Sequence, residues 1–227
     1  MKENGFELSP PRLDTLIYDA VRQIGYASVD HAGTDIVKKL TIACEDVLNL
    51  IRPAYVFERT LLDSWNDGVI YGENVTIRSG KWSALLSFMD NPNIIYCFAV
   101  TLGKDIDREI SLKQGDLMLH AYLLDVAGSV LAEHFAEQVD RYISLMLMSE
   151  GYQSTARFSP GYCDWELKEG QNNIFKFLRP DLIGLKINSS GLMIPRKSVS
   201  AAMIGAQAIP YKTPCRFCNN ECDYRRA

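Results

Sequence analysis

"LLDVAGSVLAEHFAEQVDRYISLM", residues 123–146, is the most strongly patterned stretch of the chain. Leu124, Ala127, Leu131, Phe135, Val139, Tyr142 and Met146 recur every three or four positions, the spacing that lines one side of an α-helix. Ser129, Glu133, Glu137 and Arg141 fall at intervals of four on another face. The pattern predicts one helix from residue 115 to about 149.

Shorter elements lie on either side. Upstream, residues 12–24 and 33–51 carry helical spacing, closed by Gly25 and Pro53. Residues 54–62 and 69–77 read as strands, the second broken by a turn at Gly72-Glu73-Asn74. Residues 80–90 read as a helix, 94–102 as a buried strand and 104–112 as a short helix. Downstream come a turn, a helix around 170–178, a strand over 182–187 and a last strand over 198–209. Strands separated by unequal helices, without regular βαβ alternation, predict an α+β fold. The chain divides into an N-terminal helical extension (1–53), an α+β core (54–210) and a cysteine-rich tail (211–227).

The bulk composition narrows the function. The 227 residues are 47% apolar, enough to form a core, and carry a net charge of −4. A mildly acidic chain is not built to neutralise phosphates, so nucleic acid is not an expected partner. No apolar run is long enough to span a bilayer, and the start lacks a signal-peptide core, so a cytoplasmic protein is expected. No G-x-S-x-G elbow, H-E-x-x-H or P-loop is present.

Three groups of residues could carry chemistry. On the long helix, Glu133 and Glu137 project from one face, where a carboxylate can accept bonds from ribose hydroxyls or pair with an ammonium. Next, "RFSPGYCDW" (157–165) is a turn set by Ser159-Pro160-Gly161. There Arg157 offers a planar fork of donors for a carboxylate, and Tyr162 a ring and a hydroxyl. The third group is Cys215, Cys218 and Cys222, three thiols within eight residues. Their spacing suits zinc or an iron–sulfur cluster, with Cys163, a histidine or an open position as the fourth ligand. The bland readings are a solvated helix face, an ordinary turn and three reduced thiols.

The helix and the turn, with a third segment, resemble the reactivation domain of cobalamin-dependent methionine synthase. That family carries an R-P-A-P-G-Y turn, matched here by Arg157-Phe158-Ser159-Pro160-Gly161-Tyr162. Its L-A-E-A-F-A-E helix segment is matched by "LAEHFAE" (131–137), and its SVSG-like strand by "SSGLMIPRKSVSAAMIG" (189–205). "TLGKDID" (101–107) and the cysteine tail look like free-standing relatives of the domain.

The resemblance implies a mostly antiparallel twisted sheet with a long central helix. It also implies binding of S-adenosylmethionine and docking on a separate protein that carries cobalamin, because the chain has no D-x-H-x-x-G cobalamin motif. The protein would then be one component of a methyltransferase system, supporting reductive reactivation of the corrinoid with an electron donor. By carry-over, Arg157 grips the methionine carboxylate and Glu133 contacts the ribose or ammonium. The backbone of Ser159, Pro160 and Gly161 meets the adenine, and Tyr162 lies near the sulfonium as the catalytic positioning group. Two alternatives stay open: a reactivation factor that works through a metal in the cysteine tail, and a docking protein without a small ligand. Whether the chain forms a homodimer is also open.

Overall fold

A computed structural model describes residues 6–218. By their contacts the residues form two units. One takes the N-terminal stretch through Ala54, Val100–Gln138 and Ile194–Val199. The other takes Tyr55–Ala99, Val139–Met193 and the chain from Ser200.

The first unit is mainly helical. Helices α1 (Leu13–Gln23) and α3 (Thr34–Leu50) pack on each other, with the single turn α2 (Val29–Ala32) between them in sequence. Leu16, Ala20 and Val21 are buried on α1, and Leu40, Ala43, Cys44 and Val47 on α3. Each fully buried Leu or Val stabilises the unit by about 1.5–3 kcal/mol. Helix α5 (Asp105–Lys113) packs on α3 and buries Ile106 and Ile110. Two hydrogen bonds fix the chain here, from Arg52 N to Leu102 O (2.8 Å) and from Leu102 N to Lys197 O (2.9 Å).

Helix α6 (Met118–Ser149) runs for 32 residues, through the span predicted for it. Leu124, Ala127, Leu131, Phe135 and Val139 are buried as expected. Beyond Val139 the buried positions are Ile143 and Leu147, while Tyr142 and Met146 are only half-buried. Steps of four overshoot the 3.6-residue turn, so the face drifts by one position over the length of the helix.

The sheet has six strands in the order β3-β2-β1-β4-β8-β5. They are β1 (Ala54–Asn66), β2 (Val69–Gly72), β3 (Val75–Arg78), β4 (Ile94–Thr101), β5 (Gln153–Ser154) and β8 (Ser198–Ala206). The β1–β2, β2–β3 and β5–β8 pairs are antiparallel. Every residue of β4 is buried, which explains why it reads as an unbroken apolar run rather than an alternating one. Helix α4 (Gly80–Leu86) and helix α7 (Leu167–Leu178) add to the second unit, and α7 packs on β3. Its core includes Ile77, Trp82, Leu85, Ile95, Phe158, Trp165, Ile174 and Ile204.

One predicted strand is corrected. Residues 182–187 do not form a continuous strand. Pro180–Ile183 is a turn of 3₁₀ helix, and only Lys186–Ile187 (β6) is extended, paired with Met193–Ile194 (β7). Pro180, at the start of the turn, pre-sets a helical φ, and Gly184 at φ 70° ends it. Leu182, read as a strand residue, is exposed.

Among the described residues, no helix is long and apolar enough to cross a membrane.

Candidate functional site

The turn over residues 157–165 hangs from the edge of the sheet. Thr155 N donates to Ile204 O (2.9 Å), and Phe158 and Ala202 exchange a reciprocal pair of backbone bonds, both 2.9 Å. Between them Ala156 N donates to Lys212 O at 2.8 Å. Arg157 thus sits on backbone anchored on both sides, the condition for a side chain that must hold one direction.

Past Arg157 the chain folds tightly. Tyr162 N donates to Ser159 O (3.2 Å), Gly161 N to Trp165 O (2.8 Å) and Trp165 N to Tyr162 O (3.0 Å). Gly161 stands at φ 92°, where a Cβ would be strained, so the Pro-Gly pair read from the sequence is required by the turn. Pro160 is buried, whereas Gly161 and Tyr162 are exposed.

Neighbouring side chains clamp this turn. Trp165 stacks on Phe158, with centroids 5.7 Å apart, and both touch Trp82. The Ser79 hydroxyl donates to Asp164 Oδ1 (2.6 Å) while accepting from Trp82 N (3.0 Å), and Lys81 N donates to Asp164 Oδ2 (3.0 Å). On α7, Gly170 comes close: a Cβ there would lie 2.6 Å from Trp165 Nε1 and 2.8 Å from Pro160 Cβ.

Arg157 Nη1 lies 3.7 Å from Asp140 Oδ2 of α6, with side chains 9% and 20% exposed. Sequence reading missed Asp140. The signal was there: Glu133, Glu137 and Asp140 follow the i, i+4, i+7 spacing of one helix face. Two residues on, Tyr142 meets Phe57 edge-on (5.9 Å), and Phe57 stacks with Tyr55 and touches Tyr96. An aromatic cluster, with Tyr55, Phe57 and Tyr142 half-buried and Tyr96 fully buried, therefore flanks this part of α6.

The remaining candidates are placed as follows. Glu133 stands exposed on the part of α6 that belongs to the first unit, as does Glu137. That unit also holds a polar cluster that the sequence did not single out. The Lys197 ammonium, on a side chain 9% exposed, donates to Ser129 Oγ (2.8 Å) and pairs with Asp125 Oδ1 (2.8 Å).

Of the cysteines, Cys163 and Cys218 come together. The Cys163 thiol is pushed up to about 12, first by burial and then by its hydrogen bond with Cys218. Cys215 is half-buried on a 3₁₀ turn (Pro214–Phe217) capped by Thr213. Cys222 lies outside the described residues. Among the described residues, no three His, Cys, Asp or Glu are grouped to hold a metal ion.

No family model and no curated protein matches the chain. A solved structure does. The chain is similar to a crystal structure of the MetH reactivation domain bound to AdoHcy, with a TM-score of 0.62 and 17% identity. The match covers 93% of this chain and 81% of that one. The fold is that of the MetH reactivation domain. The α+β class and the long helix read from the sequence, and the mostly antiparallel twisted sheet implied by the resemblance, are all present.

Proposed function

We infer that the chain is a reactivation module that binds S-adenosylmethionine or its demethylated product and docks on a corrinoid-bearing protein. One observation supports this above the rest. The Arg-x-x-Pro-Gly-Tyr turn is held rigidly within a fold that, in its solved neighbour, is bound to AdoHcy. The donor set fits such a ligand. Arg157 offers a bidentate fork to an amino-acid carboxylate, and the exposed Gly161 leaves backbone open to a flat base.

When bound, S-adenosylmethionine would supply an activated methyl group to a nucleophile on the partner. The chain's own task is to orient it. In this reading Arg157 fixes the carboxylate end, the Ser159–Gly161 backbone meets the adenine end, and the exposed Tyr162 would position the sulfonium. Calorimetry on the intact chain tests the ligand half of the reading. Binding of AdoHcy supports it, and no heat with either AdoHcy or S-adenosylmethionine sinks it. Co-purification with a cobalamin-loaded methyltransferase, with and without ligand, tests the docking half. The role that the resemblance gives Glu133 is tested separately with Glu133→Gln.

A second reading, a zinc ion or iron–sulfur cluster on the tail cysteines, is favoured by the approach of Cys163 to Cys218. Elemental analysis and an anaerobic visible spectrum decide it. A chain without stoichiometric zinc or iron rules it out.

A further inference from the structure

We propose that Cys163 and Cys218 are a reversible dithiol–disulfide site that joins the chain's C-terminal segment to the Arg157–Trp165 turn. Cys44 and Cys97 are deeply buried, and Cys163 and Cys218 are the two sulfurs that meet among the described residues. Both are half-buried, so a small reagent can reach them.

Each partner is held in place. Cys163 sits at φ 55°, a left-handed conformation that a residue with a Cβ adopts only when its surroundings hold it there. The bonds of Gly161, Tyr162 and Trp165 and the anchoring of Asp164 by Ser79 keep it there. Cys218 follows Phe217, which stacks on Phe88 (5.4 Å) and meets Tyr211 edge-on. Cys218 N also donates to Cys215 O (3.2 Å). Two thiols held in contact by separate packing have already lost much of the chain entropy that a disulfide would have to remove.

The chemistry balances with a low-molecular-weight disulfide such as oxidised glutathione as oxidant. The Cys218 thiolate attacks one sulfur of that disulfide, whose S–S bond breaks, and one half leaves as a thiolate that takes up a proton. Cys163 then gives up its proton and attacks the Cys218 sulfur of the mixed disulfide, expelling the second half. The two protein thiols lose two electrons and two protons, and the oxidant becomes two thiols. Cys163 adjoins Tyr162, so the new bond would restrain the turn. Any effect on ligand affinity rests on the functional reading above.

The test uses the full chain, treated with chelator and equilibrated in glutathione buffers from reducing to oxidising, then mapped by mass spectrometry of its peptides. A Cys163–Cys218 cross-link is expected, formed under oxidising buffer, reversed by reduced glutathione, and lost in both Cys163→Ser and Cys218→Ser. The proposal is overturned if Cys218 pairs instead with Cys215 or Cys222, or if Cys163 stays a free thiol or carries only glutathione. A bound metal that survives chelation and keeps both thiols unreactive also overturns it. AdoHcy calorimetry on the oxidised and reduced forms separates the two claims. No binding in either form removes the ligand reading and leaves the cross-link result standing.

Discussion

Arg157 and Asp140 pair across 3.7 Å with both side chains largely out of water. The guanidinium proposed to take a ligand carboxylate already faces a carboxylate of the protein. The ligand would therefore join an existing charge pair rather than meet a lone cation. Arg157→Ala should weaken AdoHcy binding roughly ten- to a hundred-fold, the worth of a charged hydrogen-bonded contact. It should also destabilise the fold by up to about 3 kcal/mol, because Asp140 is left with a less favourable neighbourhood. Adding Asp140→Ala should recover part of the stability and none of the binding. Urea unfolding and calorimetry on the same three proteins check both statements. A double variant that regains binding would refute the role given to Arg157.

Gly170 yields a prediction opposite in sign to helix propensity. In the interior of α7, exchanging Gly for Ala should by propensity gain about 1 kcal/mol. The added Cβ would fall 2.6–2.9 Å from Trp165 and Pro160, atoms with little room to move. Overpacking of this kind costs about 1–3 kcal/mol. Gly170→Ala should therefore lower the midpoint of urea unfolding. It should also weaken AdoHcy binding, since the displaced groups belong to the turn. An increase in stability would show that the turn yields easily.

Glu166 predicts a pH dependence. It caps α7, accepting from Glu169 N and Lys168 N, and these bonds hold its carboxyl below the ordinary value of 4.5. A lowered folded pKa means that the ionised form favours folding. That contribution is complete above 4.5 and is lost as pH falls through the folded pKa. The stability difference between the parent and Glu166→Gln should stay constant from neutral pH down to about 5 and shrink below it. Thermal unfolding of both proteins at several acidic pH values measures this. A gap that widened on acidification would be inconsistent with the cap.

Lys197 separates charge from packing in the first unit. Its methylenes lie against Gly128, where a Cβ would be 3.2 Å away. Its partner Asp125 is 43% exposed and can be solvated if left alone. Lys197→Met keeps the packing and should cost less than about 1.5 kcal/mol. Lys197→Ala opens a void and should cost about 2–4 kcal/mol, measured by urea unfolding. Equal losses in the two variants would assign the stability to the ion pair instead.

Much of the fold was legible because its signals are local. The helices α1, α3 and α6 follow apolar periodicity, and β4 follows an unbroken apolar run bounded by Pro92 and Gly103. The strand expected at 182–187 failed because a proline and a glycine at positive φ outweighed four apolar residues. The turn at 159–161 was readable from Pro-Gly, since dihedral preference is a property of the residue itself. Asp140 and the close approach of Gly170 were not, because each acquires its meaning from how the turn folds back in space onto α6 and α7. The contact of Cys163 with Cys218 spans 55 positions, and only a count of candidate ligands pointed to it.

The first unit is assembled from three separate stretches of chain. No contiguous gene fragment encodes it. Deleting residues 1–53 would remove α1 and α3 and leave Ile106 and Ile110 of α5 without the helix they pack beside. Truncations at Pro53 should then yield insoluble protein, and shorter versions of this chain are better sought by trimming its ends than by dividing it.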